Sequence, residues 1–344
     1  MTAVSSVAPA QSSRPVEGIA CVVMGTWFFV GQDVMVKGLL GAQPLWMLIF
    51  VRACISILVL APLIVWLGGK HRIYTPLWPI HMLRAFLLTT GFAMFYAAFP
   101  FMGLAEVSTI FFSAPLFIGI LAAIFLGERM GAHRIGALMV GFAGVLIAMA
   151  PGQGSFQWVA LLPLLCAATY AASMILTRKI GDGESSLTMG LWTIGFSGVL
   201  IWPLGWLVNT IVPIGPEFYH LRLEFIVPDG PQLAQLALLG LVGMTGYILL
   251  SRAYQVANAS LIAPFDYSYL PFATTAAWIL WDETPKMNTL AGMALIIGAG
   301  LYIGYRELRA PERAVSPAPV GETVIATGVP AVTEDAEDPA SGVV

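Results

Sequence analysis

Ten apolar runs, at about 16–36, 44–67, 80–102, 107–126, 134–150, 157–177, 188–211, 232–254, 261–280 and 288–305, take up most of the 344 residues. A helix needs roughly 20 such residues to cross the hydrocarbon of a bilayer. Backbone groups there have no water to bond, so each run must satisfy its own N–H and C=O groups, as a helix does internally. The runs are continuous and lack the short alternating strands of a barrel. Charged residues are 10% of the chain, against about 25% in a soluble domain. The sequence therefore predicts an all-α integral membrane protein with ten transmembrane helices.

The runs are not ten independent segments. Pro115, Gly136, Ala143 and Gly144 recur 156 positions later as Pro271, Gly292, Ala299 and Gly300. ILAAIFLGERM at 120–130 answers TTAAWILWDETP at 274–285, with Glu128 and Glu283 one residue out of register. An odd-numbered unit repeated in tandem must sit upside down the second time, so the pattern predicts two inverted five-helix repeats, 16–150 and 157–306.

Loop charges set the expected orientation. Twelve Lys and Arg residues, from Arg14 to Arg313, fall on the side that holds both termini, and Lys37, Arg222 and Lys286 fall on the other. The termini are thus expected in the cytoplasm. Glu128 lies beside Arg129 and Arg134, whereas Glu283 lies beside Asp282 with Lys286 nearby. The two homologous loops carry opposite signals, as inversion requires. Residues 212–231, with four prolines, form an external connection that either rests on the interface through Phe218, Tyr219 and Phe225 or is mobile. Residues 1–15 and 307–344 read as disordered cytoplasmic ends. A net charge of −3 gives no reason to expect a nucleic-acid partner.

Charges inside spans are costly and mark partners or cavities. Asp33, Arg52 and Asp266 qualify. A salt bridge between Asp33 and Arg52 is expected, serving either packing and gating or the solute. Asp266 sits between Pro264 and Pro271, where the helix should break. It either meets the solute or a proton, or caps amides freed by the break. Helical spacing adds Phe92, Tyr96 and Phe99 in the third span, Tyr170, Ser173 and Thr177 in the sixth, and Tyr247, Ser251 and Tyr254 in the eighth. Trp27, Tyr96, Tyr170, Tyr247 and Tyr267 lie deep. Tyr254, Trp46, Trp78, Trp158 and Trp206 suit interfacial belts. The substrate-binding set read from sequence is therefore Trp27, Asp33, Arg52, Phe92, Tyr96, Tyr170, Ser173, Tyr247, Asp266 and Tyr267. Gly136, Gly141, Gly144, Gly292, Gly300 and Gly304 read as a packing seam or a homodimer face. Glu128 and Glu283 should bond loop amides or basic neighbours.

The paired Pro…(G)E…G…G blocks and ten spans over 16–306 resemble the drug/metabolite transporter superfamily and its EamA-like members. APFDYSYLP at 263–271 and AGLYIGYRE at 299–307 resemble a subgroup with riboflavin and S-adenosylmethionine uptake carriers. The resemblance implies a central cavity lined by the first, third, fourth, sixth, eighth and ninth spans, in a multi-pass protein of the cell inner membrane. It implies a secondary transporter working by alternating access, importing a riboflavin-like or other aromatic metabolite, or exporting amino acids or their derivatives. No cofactor or metal is expected: Cys21, Cys54 and Cys166 lack metal spacing. An intramembrane transferase would need a nucleophile and base together, and neither HExxH nor GxSxG occurs. A channel would need polar or charged rings.

Overall fold

The computed structural model describes residues 15–68, 73–125, 131–149, 158–180, 184–256 and 263–309, and it is all-helical over them. The helices are α1 (Pro15–Leu39), α2 (Leu45–Leu67), α3 (Trp78–Ala97), α4 (Leu104–Phe111), α5 (Ala114–Phe125), α6 (Ala132–Met149), α7 (Leu161–Ile180), α8 (Ser186–Ile211), α9 (Gly230–Val256), α10 (Tyr269–Trp281) and α11 (Met287–Arg309). Residues 1–14, Glu128 with its loop, and the tail from 310 lie outside the described residues, as do the side chains of Ser251 and Tyr254.

Nine helical segments among the described residues are long and apolar enough to cross a membrane, α4 and α5 counting together as one, Leu104–Phe125. The ninth expected span differs. It is a six-residue 3-10 turn, Ala263–Ser268, leading into the 13-residue α10. Thirteen residues rise about 20 Å, short of a hydrocarbon core near 30 Å. The cause is the proline pattern: Pro271 tolerates only a first-turn position, so α10 begins two residues before it. Pro115 acts alike in the first copy, where α4 ends at Phe111 and α5 restarts at Ala114. Both copies therefore break at the same place in the repeat.

Helices pair as α1 with α9, α2 with α8, α3 with α7, and α6 with α11. Lipid chains are as apolar as leucine, so small residues and tight packing hold such pairs together. At the α6–α11 seam, a Cβ on Gly292 would stand 2.5 Å from the Gly144 carbonyl oxygen, so the backbones touch. Gly300 has another use, because the Tyr267 hydroxyl occupies its missing side chain. Large apolar residues such as Leu58, Val65, Ile124 and Leu146 face outward, as a lipid-facing surface requires.

One end of the bundle is closed by polar contacts. Lys37, at the end of α1, pairs with Glu283 between α10 and α11, its ammonium 2.6 Å from Oε2. The Leu104 amide, opening α4, donates to the same Oε2 at 3.2 Å, and Lys286 pairs with Glu106 at 3.3 Å. Glu283 thus takes the amide and basic partners expected of it. At this end too, residues 212–229 fold down as a cap. Trp46 Nε1 donates to the Leu221 carbonyl at 2.8 Å, Tyr219 Oη to the Leu40 carbonyl at 3.1 Å, and the Leu223 amide to Asn209 Oδ1 at 3.0 Å. Trp46 is therefore buried and no belt residue, whereas Trp78, Trp158 and Trp206 are exposed. His220 is buried under the cap against Phe101. Burial pushes its imidazole below the ordinary value, and the Ala97 backbone opposes that.

Candidate functional site

The break at Phe112–Ser113 turns two aromatic rings toward the middle of the bundle, where α1, α2, α3, α8, α9 and α10 converge. There they line a cavity. Its walls are Phe29, Gln32 and Asp33 of α1, Arg52 and Ser56 of α2, Phe92 and Phe95 of α3, Phe111 and Phe112, Ile194 of α8, Gly243, Met244 and Tyr247 of α9, and Tyr269 of α10. Tyr96 stands directly behind. The rings support one another: Phe95 meets Phe111 at 5.2 Å between centroids, and Phe112 meets Tyr269 at 5.4 Å. Edge and tilted pairs of this kind contribute about 0.5–1.5 kcal/mol each beyond area.

A polar network is set into this aromatic shell. Asp33, 7% exposed, accepts three hydrogen bonds. Tyr269 donates to Oδ2 at 2.5 Å, Tyr96 to Oδ1 at 3.2 Å and Gln32 Nε2 to Oδ1 at 3.3 Å. Gln32 Nε2 also reaches Tyr96 Oη at 3.1 Å. Arg52 Nη1 donates to Tyr96 Oη at 3.0 Å, with the guanidinium over the ring at 5.8 Å. Gln32 can sit there because Gly243 on α9 leaves room: a Cβ on that glycine would lie 2.1 Å from Oε1. The expected salt bridge between Asp33 and Arg52 is replaced by a relay through one tyrosine hydroxyl. A buried carboxylate left without donors is expensive; three neutral donors offset part of that cost, and Arg52 acts on Asp33 without touching it.

Of the ten residues read from sequence, Asp33, Arg52, Phe92 and Tyr247 line the cavity, and Tyr96 touches the network from behind. Tyr170 lies one layer out, edge-on to Phe111 at 5.6 Å, and Ser173 is buried beyond it on α7. Trp27 is 59% exposed and rests on Phe272, because α1 turns Thr26, Phe29 and Asp33 inward instead. Asp266 is buried in the 3-10 turn apart from the cavity walls, and Tyr267 next to it fills the Gly300 notch. The substrate-binding set read from sequence leaves out Gln32, Ser56, Phe111, Phe112 and Tyr269, which line the cavity. Tyr269 carried a signal: it lies two residues before the recurring Pro271, at the start of the broken helix. Among the described residues no cluster of His, Cys, Asp and Glu could hold a metal ion.

A family model described as the EamA-like transporter family matches residues 16–150 and again 157–305. A riboflavin transporter of Rhizobium johnstonii is 31% identical over 67% of this chain and 71% of its own length. An S-adenosylmethionine uptake transporter of Rickettsia bellii is 30% identical over 77% of this chain and 86% of its own. A pseudopaline exporter of Pseudomonas aeruginosa is 23% identical over 82% and 94%. A solved crystal structure of a protein superposes with a TM-score of 0.57 at 17% identity, over 84% of this chain and 98% of that one. That last likeness is one of fold.

Proposed function

The chain belongs to the EamA-like transporter family, and on that premise we propose that it is a secondary carrier importing a riboflavin-like or other aromatic metabolite across the cell inner membrane. One observation carries the reading: the bundle is built around a central cavity whose walls are aromatic and whose polar groups converge on Asp33 and Arg52. A planar solute would stack on Phe92, Phe111 and Phe112 while its polar edge meets that network. Relatives named riboflavin transporter and S-adenosylmethionine uptake transporter support a ring-bearing solute, and the second name supports the direction. The exporter among the relatives supports a second reading, efflux of an amino-acid derivative.

Alternating access would come from two inverted halves, 16–150 and 157–306. The helix pairing supports this. Advancing five spans exchanges the α1–α9 pair with the α7–α3 pair and returns α2–α8 and α6–α11 to themselves. The breaks at 112–113 and 263–268 then serve as hinges. The Glu283 end faces outward, with both termini in the cytoplasm. The family and its relatives favour carriage over catalysis.

The test is uptake and efflux of riboflavin and S-adenosylmethionine in proteoliposomes, with and without a pH gradient. Saturable riboflavin uptake, competed by other planar metabolites, is expected. Saturable transport confined to outward flux would replace the import reading with the second one, and transport of neither solute would remove the aromatic-metabolite assignment.

A further inference from the structure

The two charges of the cavity are not equivalent. Asp33 already accepts hydrogen bonds from Gln32, Tyr96 and Tyr269, three of the roughly four a carboxylate can take. Arg52 has five N–H donors and commits one of them, to Tyr96 Oη. Its others have no partner among the described residues, and its side chain lines the cavity, which its α2 neighbour Ser56 helps to wall. The relay fixes the direction as well. Tyr96 Oη donates its hydrogen bond to Asp33, so a hydroxyl lone pair faces Arg52, and the guanidinium is anchored on a neutral oxygen and not on a carboxylate.

We propose that Arg52 is the solute-reading charge of the cavity and Asp33 its internal lock. The site would then select solutes that join an aromatic body to a forked acceptor edge, and would reject aromatic cations that lack such an edge. A guanidinium matches two adjacent acceptors with parallel N–H bonds. Such an edge is offered by a carboxylate, and also by the ring nitrogen and neighbouring carbonyl of a flavin-type heterocycle. This rests on the proposal that the cavity is the solute site. It adds which charge the solute meets.

The test uses probes of one shape and opposite charge. Benzoate and benzamidinium are each titrated against the purified full-length protein, and the thermal unfolding midpoint is followed for wild type, Arg52→Lys and Arg52→Gln. Benzoate is expected to raise the wild-type midpoint and benzamidinium to leave it unchanged. The benzoate response should shrink in Arg52→Lys, which keeps charge without the fork, and vanish in Arg52→Gln. Preference for benzamidinium, an equal response to both, no response to either, or an undiminished benzoate response in Arg52→Gln would overturn the assignment. Riboflavin transport by the wild type is measured in parallel: its absence would sink the functional reading, while the benzoate result still decides the role of Arg52. If riboflavin is carried, riboflavin and S-adenosylmethionine distinguish the two kinds of acceptor edge by their relative KM in Arg52→Lys.

Discussion

Gly136 and Gly292 occupy matched positions in the two halves, each in the second turn of its helix, yet alanine should act oppositely at the two. At Gly136 a Cβ would meet nothing within 4 Å. The substitution then only removes the entropic penalty of glycine in a helix, a gain of about 0.5–1 kcal/mol. At Gly292 the same gain is present, but the Cβ would lie 2.5 Å from the Gly144 carbonyl oxygen, 2.7 Å from Ala148 Cβ and 2.9 Å from the Ala148 amide nitrogen. Two of these are backbone atoms that no rotamer change can move, so α6 and α11 must separate. Overpacking of this kind costs about 1–3 kcal/mol. Because the helix gain is common to both variants, their difference isolates the seam: Gly292→Ala should fall below Gly136→Ala by about 1–3 kcal/mol. That is roughly 5- to 150-fold in an opening equilibrium at 1.4 kcal/mol per tenfold. The assay is thermal unfolding in detergent read by a thiol-reactive dye, since Cys166 is fully buried and becomes reactive only when the bundle opens. Equal midpoints for the two variants would refute a backbone-to-backbone seam.

Other parts of the molecule yield sharper expectations than the sequence did. Exchanging Asp33 and Arg52 should restore no transport, because the two groups communicate through Tyr96 Oη; recovery in the double variant would demonstrate a direct pair. Glu283→Gln leaves the Lys37 ammonium, 9% exposed, without its counter-ion and should destabilise by about 1–3 kcal/mol, discounted from a fully buried pair because Glu283 is partly exposed. Adding Lys37→Met should recover part of that loss, and a double-mutant cycle with zero coupling would remove the pair's importance. His220 titrates below its ordinary value when buried, so the unfolded cap binds more protons than the folded one, and stability falls with pH below about 6.5. Protease cleavage within 212–229 should rise over that range in the wild type and lose its pH dependence in His220→Gln; an unchanged profile would show that another group governs the cap.

The helices and the break before Pro271 were legible because they are local: continuous apolar runs set the one, and the prolines at 264 and 271 the other. The break at 112–113 was read through as one span, 107–126, although Pro115 stands in the same place relative to it. Asp33 and Arg52 were legible for a different reason: charge inside a span is costly enough to demand a use. What joins them was not. Tyr96 is one of several tyrosines at helical spacing, and its role depends on α1, α2 and α3 meeting at a single hydroxyl. Trp27 was misleading because its depth along α1 says nothing of its direction, which the inward turn of Thr26, Phe29 and Asp33 decides. Asp266 and Tyr267 drew attention by lying in a break, and the fold turns Tyr267 onto α11. Trp46 looked like a belt residue until the cap, invisible as packing in a proline-rich stretch, covered it.

The seam has a mechanical consequence. Gly292, where α11 touches α6 backbone to backbone, leaves five residues of α11 toward Glu283 and seventeen toward Arg309. At 1.5 Å per residue these are arms of about 8 Å and 26 Å. Both are held to α6: Asn288 donates to the Ala148 carbonyl at 3.3 Å on the short arm, and Tyr302 Oη meets His133 Nδ1 at 3.2 Å on the long one. With the backbones touching between these two bonds, α6 and α11 would travel as one rigid unit when the rest of the bundle rearranges.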